Sequence, residues 1–236
     1  MSHPFLRKIR KVPKSTTQEM LYLELGCIPV RYIIKKRRIL FLHYILNQDP
    51  NSILFRFLMT QIRSRNGKDW STQVFSDLKE LEMGEDLEQI KSFKKLRLKN
   101  ILCEKIKEKV FEDLKLQKEN HSKVNKLKHN SFEMQKYFKP CKIKITKEEA
   151  QEIFKLRSRM SNVKINYKGK YETYECDMCD ENEDESQEHL ISCKIPNKDD
   201  KEILKYEDIF DGNVNKKVEI ARRFLKNMKF RDKLKT

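Results

Sequence analysis

Three of the six cysteines fall with one histidine into the order Cys176-x2-Cys179-x9-His189-x3-Cys193. Thiolate and imidazole donors at these spacings are the ligand set of a zinc ion. A Cys-x-x-Cys turn aims two sulfurs at one point, while His189 and Cys193, four apart on a short helix capped by Ser186, project from one face. Four protein donors close the tetrahedron and leave no position for water. The spacing therefore predicts a structural Zn2+ and not one that activates a nucleophile. Binding there would supply folding free energy, on the order of 10 kcal/mol, to a stretch poor in apolar residues. Spacing alone does not say which kind of zinc module this is. The acids around it (Glu172, Glu175, Asp177, Asp180, Glu181, Glu183, Asp184, Glu185 and Glu188) are expected to form a solvated face.

Other chemistry is hard to place. Five glycines cannot build a dinucleotide or P-loop fingerprint, and neither Gly-x-Ser-x-Gly nor His-Glu-x-x-His occurs. The zinc deaminase order is absent too, since His189 follows the cysteine pair and precedes Leu190-Ile191. No general base is nominated, and a non-enzymatic role is expected. Cys27, Cys103 and Cys141 are expected to be small core residues.

The elements that must position the ligands are mostly α. Charged residues reach 37% of the 236-residue chain and glycine is scarce, which favours long solvated helices. Thr16-Thr17-Gln18-Glu19 has capping-box spacing and Gly26 ends the helix it opens. Further helices are expected over 29–47, 50–64, from Asp69 to Leu81, and from Asp86 or Ser92 to Gln117, the last with Leu98, Leu102, Ile106, Val110 and Leu114 facing inward. Thr146 to Glu149 is a second capping box. After Met160, Val163, Ile165 and Tyr167 alternate with polar residues around Lys168-Gly169, which predicts a short hairpin. Two helices, 199–209 and 214–229, should close the chain, the second docking back on the domain through Val214, Val218, Ala221, Leu225 and Met228. The fold class expected is a mostly α, bundle-like domain followed by a small zinc-stabilised hairpin-plus-helix module and C-terminal helices. Its parts are a basic arm over 1–14, a helical domain over 15–160 and a zinc module over 161–236.

The charge asks for an anionic partner. Lys and Arg total 52 against 36 Asp and Glu, a formal +16, and nucleic acid is the usual counter-charge. Arg31, Lys35 and Arg38 are 4 and 3 apart on one helix, with Lys36 beside them, a row able to meet successive phosphates. Arg37 falls beside Ile33, Leu40 and Phe41, where it should snorkel or pair with an acid such as Glu24. Lys94, Lys95, Arg97 and Lys99 cluster with Lys91 at the start of the long helix, where cations oppose the macrodipole. Ordinary solvation would explain either cluster as well. Tyr167, Tyr171 and Tyr174 sit among Lys164, Lys168 and Lys170, an interleaving that suits base stacking and suits strand packing equally.

The run LELGCIPVRYIIKKRRILFLHYIL, the stretch from Gln61 to Asp69-Trp70, Phe93-Lys94-Lys95, Ser122-Lys123, Tyr137 and FKLRSRM ahead of the cysteines together resemble the C-terminal region of reverse transcriptases of non-LTR, jockey-like and LINE-like retrotransposons. The likeness covers roughly residues 15–230, although only the Cys-Cys-His-Cys motif is individually specific. It implies a thumb-like helical domain that grips template and primer, and a terminal metal segment at Cys176, Cys179, His189 and Cys193 that binds nucleic acid. The aromatic-x-Asp-Asp pair of a polymerase palm is not present, and too little chain follows Cys193 for a restriction-like endonuclease. The expected activity is therefore binding of RNA or an RNA–DNA duplex, beside a separate polymerase segment, by a monomer in an intracellular, nuclear or cytoplasmic ribonucleoprotein and away from membranes. The alternative is a zinc-dependent protein-interaction module.

Overall fold

The computed structural model describes residues 17–64, 67–121, 127, 129, 131–139, 144–167, 169–198, 204–211 and 213–234. The basic arm, Cys141 and Lys168 lie outside the described residues. Ten α-helices occur among them: α1 Gln18–Leu25, α2 Val30–Leu46, α3 Ile53–Ser64, α4 Trp70–Glu80, α5 Leu87–Ser92, α6 Lys95–Glu119, α7 Lys147–Arg157, α8 Gln187–Ser192, α9 Asp208–Asp211 and α10 Val214–Leu234. The fold is mostly helical, as the composition requires. The helix starts are set by local chemistry. The Thr17 hydroxyl accepts from Met20 N, Asp69 from Thr72 N and Asp86 from Glu88 N, and Thr146 forms a full capping box with Glu149.

Contacts divide the chain into two units, 28–114 and 1–27 with 115–236. The sequence reading divides the chain at 160/161 instead. The difference has a physical cause. Ile153, Phe154 and Leu156 of α7 share one buried core with Met178, Leu190 and Ile191 around the cysteines and with Val218, Ile220 and Phe224 of α10. No boundary can pass between elements that bury the same surface.

In the 28–114 unit, Tyr32, Ile39, Leu42 and Leu46 of α2, Leu58 of α3, Val74 and Leu78 of α4, and the inward stripe of α6 are buried. The long helix starts at neither Asp86 nor Ser92 alone. It breaks at Phe93, whose backbone is extended and whose carbonyl meets the His43 ring at 2.8 Å, so α5 and α6 are separate.

The second unit is centred on a buried carboxylate. Glu24 and Arg157 are both fully enclosed, with Arg157 Nη2 2.8 Å and Nε 3.1 Å from Glu24 Oε1. Arg157 Nη1 also donates to the Ile209 and Phe210 carbonyls, and His129 and the Tyr137 hydroxyl complete the shell of Glu24. Burial would raise the Glu24 pKa, but Arg157 and then His129 outweigh it and hold the carboxyl down at about 2. The chain reaches this network through Gly26, which ends α1 at φ 58°; any side chain there would collide with the backbone of Glu133 and Met134.

Lys168, at the turn of the expected hairpin, lies outside the described residues, and neither 163–167 nor 170–174 on its two sides is a strand. Lys164–Asn166 is a 3-10 turn, with Val163 buried and Lys164 N donating to Glu185, and among the described residues the β pairing is a single antiparallel bridge between Glu175 and Asp184. Alternation does not track burial here: Val163 and Lys164 are buried, whereas Ile165 is exposed and Tyr167 half-exposed.

Candidate metal centre

Residues 174–193 fold back on themselves through two backbone bonds, Cys176 N to Glu183 O at 2.9 Å and Glu185 N to Tyr174 O at 2.7 Å. The loop between them turns at Asn182 with φ 53° and brings Glu183 under the histidine. Ser186 caps α8 on His189 N, and His189 O accepts from Cys193 N at 2.6 Å, which fixes Cys193 just past the helix end. One donor atom from each of Cys176, Cys179, His189 and Cys193 lies within 4.8 Å of the others. Cys179 Sγ is 3.3 Å from His189 Nε2. Cys176, His189 and Cys193 are buried and Cys179 is half-buried, so this cluster could hold a metal ion with little water around it.

The electrostatics point the same way. Burial pushes the Cys193 thiol up to about 12 and raises that of Cys176, with the Cys179 thiol adding to both. Thiols this crowded ionise together only when a cation offsets them, so the donor set suits a metal that releases their protons on binding. His189 Nδ1 is 2.6 Å from Glu183 Oε2, which leaves Nε2 as the atom facing the sulfurs. A carboxylate on the outer nitrogen is how ligating imidazoles are commonly oriented.

The acids of this segment do more than meet solvent. Glu185 is fully buried and accepts from Arg231 Nη1 at 2.6 Å, Asp177 pairs with Lys164, and Glu181 pairs with Lys194. Glu183 and Glu185 were not separable from their neighbours in sequence, because both draw their meaning from how the loop folds.

The nucleic-acid candidates divide into three groups. Arg31, Lys35 and Arg38 do share a face, but that face is turned onto carboxylates of its own unit. Arg38 bonds Asp77 at 2.7 and 3.0 Å, Lys35 pairs with Glu80 and lies 3.7 Å from Asp77, and Arg31 is 3.5 Å from Asp113. Lys36 is half-buried against the Cys103 sulfur. The expected partner of Arg37, Glu24, is taken by Arg157 and His129, and Arg37 is exposed. Lys94, Lys95, Arg97 and Lys99 are exposed around the start of α6, with Arg97 5.8 Å over the Phe93 ring. Tyr167 and Tyr171 are half-exposed and flank the Lys170 ammonium at 5.2 and 5.7 Å, while the Tyr174 hydroxyl accepts from Gly169 N at 2.7 Å. Cys27 and Cys103 are half-buried and not core residues.

No family model, curated protein or solved structure matches the chain. Among the described residues no helix is long and apolar enough to cross a membrane.

Proposed function

We propose that the protein is a non-catalytic, sequence-tolerant binder of RNA or an RNA–DNA hybrid, and that Cys176, Cys179, His189 and Cys193 hold one structural zinc ion. Three sulfurs and one nitrogen form a closed four-donor shell, the ligand set zinc favours. The observation that carries the binding role is the Tyr167–Lys170–Tyr171 group. It presents two half-exposed rings beside an ammonium, five residues before the first cysteine. Aromatic faces next to a cation take bases and phosphates together, with little regard for sequence. The helical architecture and the Cys-Cys-His-Cys cluster are in keeping with descent from the C-terminal region of a non-LTR reverse transcriptase. On that reading the chain holds RNA beside a polymerase segment supplied elsewhere, in a ribonucleoprotein.

Metal content and binding test the two halves separately. Native mass spectrometry of reduced protein should show one zinc per chain, and its absence would remove the metal assignment. A stacked base contributes roughly 1–3 kcal/mol, so Tyr171→Ala with Tyr167→Ala should weaken single-strand binding at least about tenfold while duplex binding changes little. Loss of fold with unchanged affinity per folded molecule would make these rings packing residues.

A second reading has its own observation. α2 and α3 contain no acid, and expose Val30, Ile34, Phe41, Tyr44, Ile53 and Phe57. An apolar, acid-free face of this kind suits a protein partner. Phe41→Glu with Phe57→Glu would abolish that association and leave oligonucleotide affinity intact.

A further inference from the structure

α10 carries a second cationic row. Arg222, Lys226, Lys229 and Lys233 are 4, 3 and 4 residues apart and all are exposed. At about 1.5 Å of rise per residue they form a straight line some 16 Å long on one side of the helix. From Arg222 to Leu234 the only acid is Asp232, which is bound to Arg231 at 2.9 Å. Arg222 anchors the start of the row, with Nε on Glu149 at 2.6 Å and Nη2 on the Lys144 carbonyl at 3.2 Å. A groove of about 530 Å³ runs beside the row, lined by Pro196, Leu225 and Phe230, with the carboxylates of Glu148 and Glu149 at its rim.

The opposite side of α10 is fastened to the metal segment. Asn227 Nδ2 donates to the Leu190 carbonyl at 2.5 Å, one residue beyond the ligand His189. Arg231 Nη1 bonds Glu185 at 2.6 Å and the Asn162 carbonyl at 3.0 Å, and Glu185 immediately precedes the Ser186 cap of α8. The residues that hold α8 in place therefore also hold α10.

We infer that Lys226, Lys229 and Lys233 seat successive phosphates of a nucleic-acid strand, with sugars or bases in the Leu225–Phe230 groove, and that the metal centre keeps this row in position through α8. The inference rests on the nucleic-acid reading above and adds a second contact to it. Evenly spaced cations a helical turn apart suit a regular polyanion, and the apolar floor suits one whose charges are carried on flat, weakly polar units.

The test is fluorescence anisotropy with the full zinc-loaded chain, an oligouridylate of about 20 nucleotides and an RNA–DNA hybrid of like length, over a salt series. Changing Lys226, Lys229 and Lys233 together to Gln should weaken both probes at least about tenfold. It should also reduce the slope of log affinity against log salt by about 2 for the single strand, since each lost phosphate contact removes roughly 0.7. Circular dichroism should be unchanged, and the triple Lys→Arg variant should bind as the parent does. Chelation of the parent should reproduce part of the slope loss. If the parent binds and the Gln variant keeps both affinity and slope, the row is a solvated face and this inference fails while the tyrosine site stands. If the parent binds neither probe, the nucleic-acid reading fails with it. Equal binding of poly-glutamate would give the row to an acidic protein and overturn the assignment.

Discussion

The rows on α2 and α10 are both built of cations three or four residues apart, and their surroundings differ. Arg31, Lys35 and Arg38 meet Asp77, Glu80 and Asp113 within their own unit, whereas Lys226, Lys229 and Lys233 stand exposed above a face anchored elsewhere. Helical periodicity says which cations share a side. It does not say whether that side faces water or carboxylates, because the carboxylates arrive from 39 to 82 residues away. α2 also inverts the usual arrangement: its charged row is half-covered while Ile34, Phe41 and Tyr44 are exposed. One row thus meets the carboxylates of its own unit and the other lies exposed along a groove, and the two should respond differently to each perturbation below.

Removal of the zinc proposed at the Cys-Cys-His-Cys cluster should have the largest effect and should fall on one side of the comparison only. A closed thiolate–imidazole site contributes on the order of 10 kcal/mol, so a strong chelator should disorder residues of about 170–195 and loosen α10 through Asn227 and Arg231. Hydrogen exchange should rise there and stay unchanged at Leu42, Leu78 and Leu102. Equal loosening of both units would mean that the metal centre stabilises the chain as a whole.

The buried pair Glu24–Arg157 comes next. Glu24→Gln strips a fully enclosed guanidinium of its charge partner, and about 3–5 kcal/mol of stability should be lost from the unit that carries α10. pH supplies an independent check. The Glu24 carboxyl is held at about 2 against an ordinary 4.5, so its contribution is complete above about 4.5 and is lost as pH falls toward 2. Thermal melts of the parent should fall steeply across that window, and those of the Gln variant should lose most of this slope. A variant with the parent's acid profile would show that other carboxylates govern it.

How much of this was legible depends on the distance over which each feature is decided. The cluster able to hold a metal was readable because Cys176, Cys179, His189 and Cys193 lie within one short segment, and Ser186, Asp69 and Thr146 act on amides three residues away. The inward stripe of α6 was readable for the same reason. Arg157 gave no local sign of its partner, which lies 133 residues earlier. Glu183 looked like any other acid of its loop until the loop placed it on His189. The α10 row is periodic in sequence, but reading 214–229 for its apolar spacing ends the helix before Lys233 and looks past the other side. The mostly helical fold needed only composition, whereas the division at 27/28 and 114/115 needed the packing.

Glu183 offers a finer cut within the metal segment. Replacing it with Ala removes the 2.6 Å bond that holds His189 with Nε2 toward the sulfurs. Loss of such a partner typically costs 10–100-fold in metal affinity. Competition against a zinc chelator should show a drop of about that size, with Glu183→Asp partly restoring it and nitrogen chemical shifts reporting a mixed tautomer of His189 in the Ala variant. Unchanged affinity and a single tautomer would mean that the imidazole is oriented by the sulfurs alone.

The smallest effect discriminates most directly between the two rows. Arg38→Met leaves Asp77 with Lys35 at 3.7 Å and should cost about 1–3 kcal/mol, the usual consequence of removing charged hydrogen bonds from a buried acceptor. The salt dependence of oligonucleotide binding should not change, because Arg38 is already committed to its own unit. Lys229→Met should do the reverse: stability within about 0.5 kcal/mol of the parent, as for an exposed surface site, and a salt slope lower by roughly 0.7. Chemical denaturation and anisotropy on the same two variants measure both quantities. Should Arg38→Met lower the slope while Lys229→Met leaves it alone, the α2 row would be the one that opens to a strand, its carboxylates giving way to phosphates on binding.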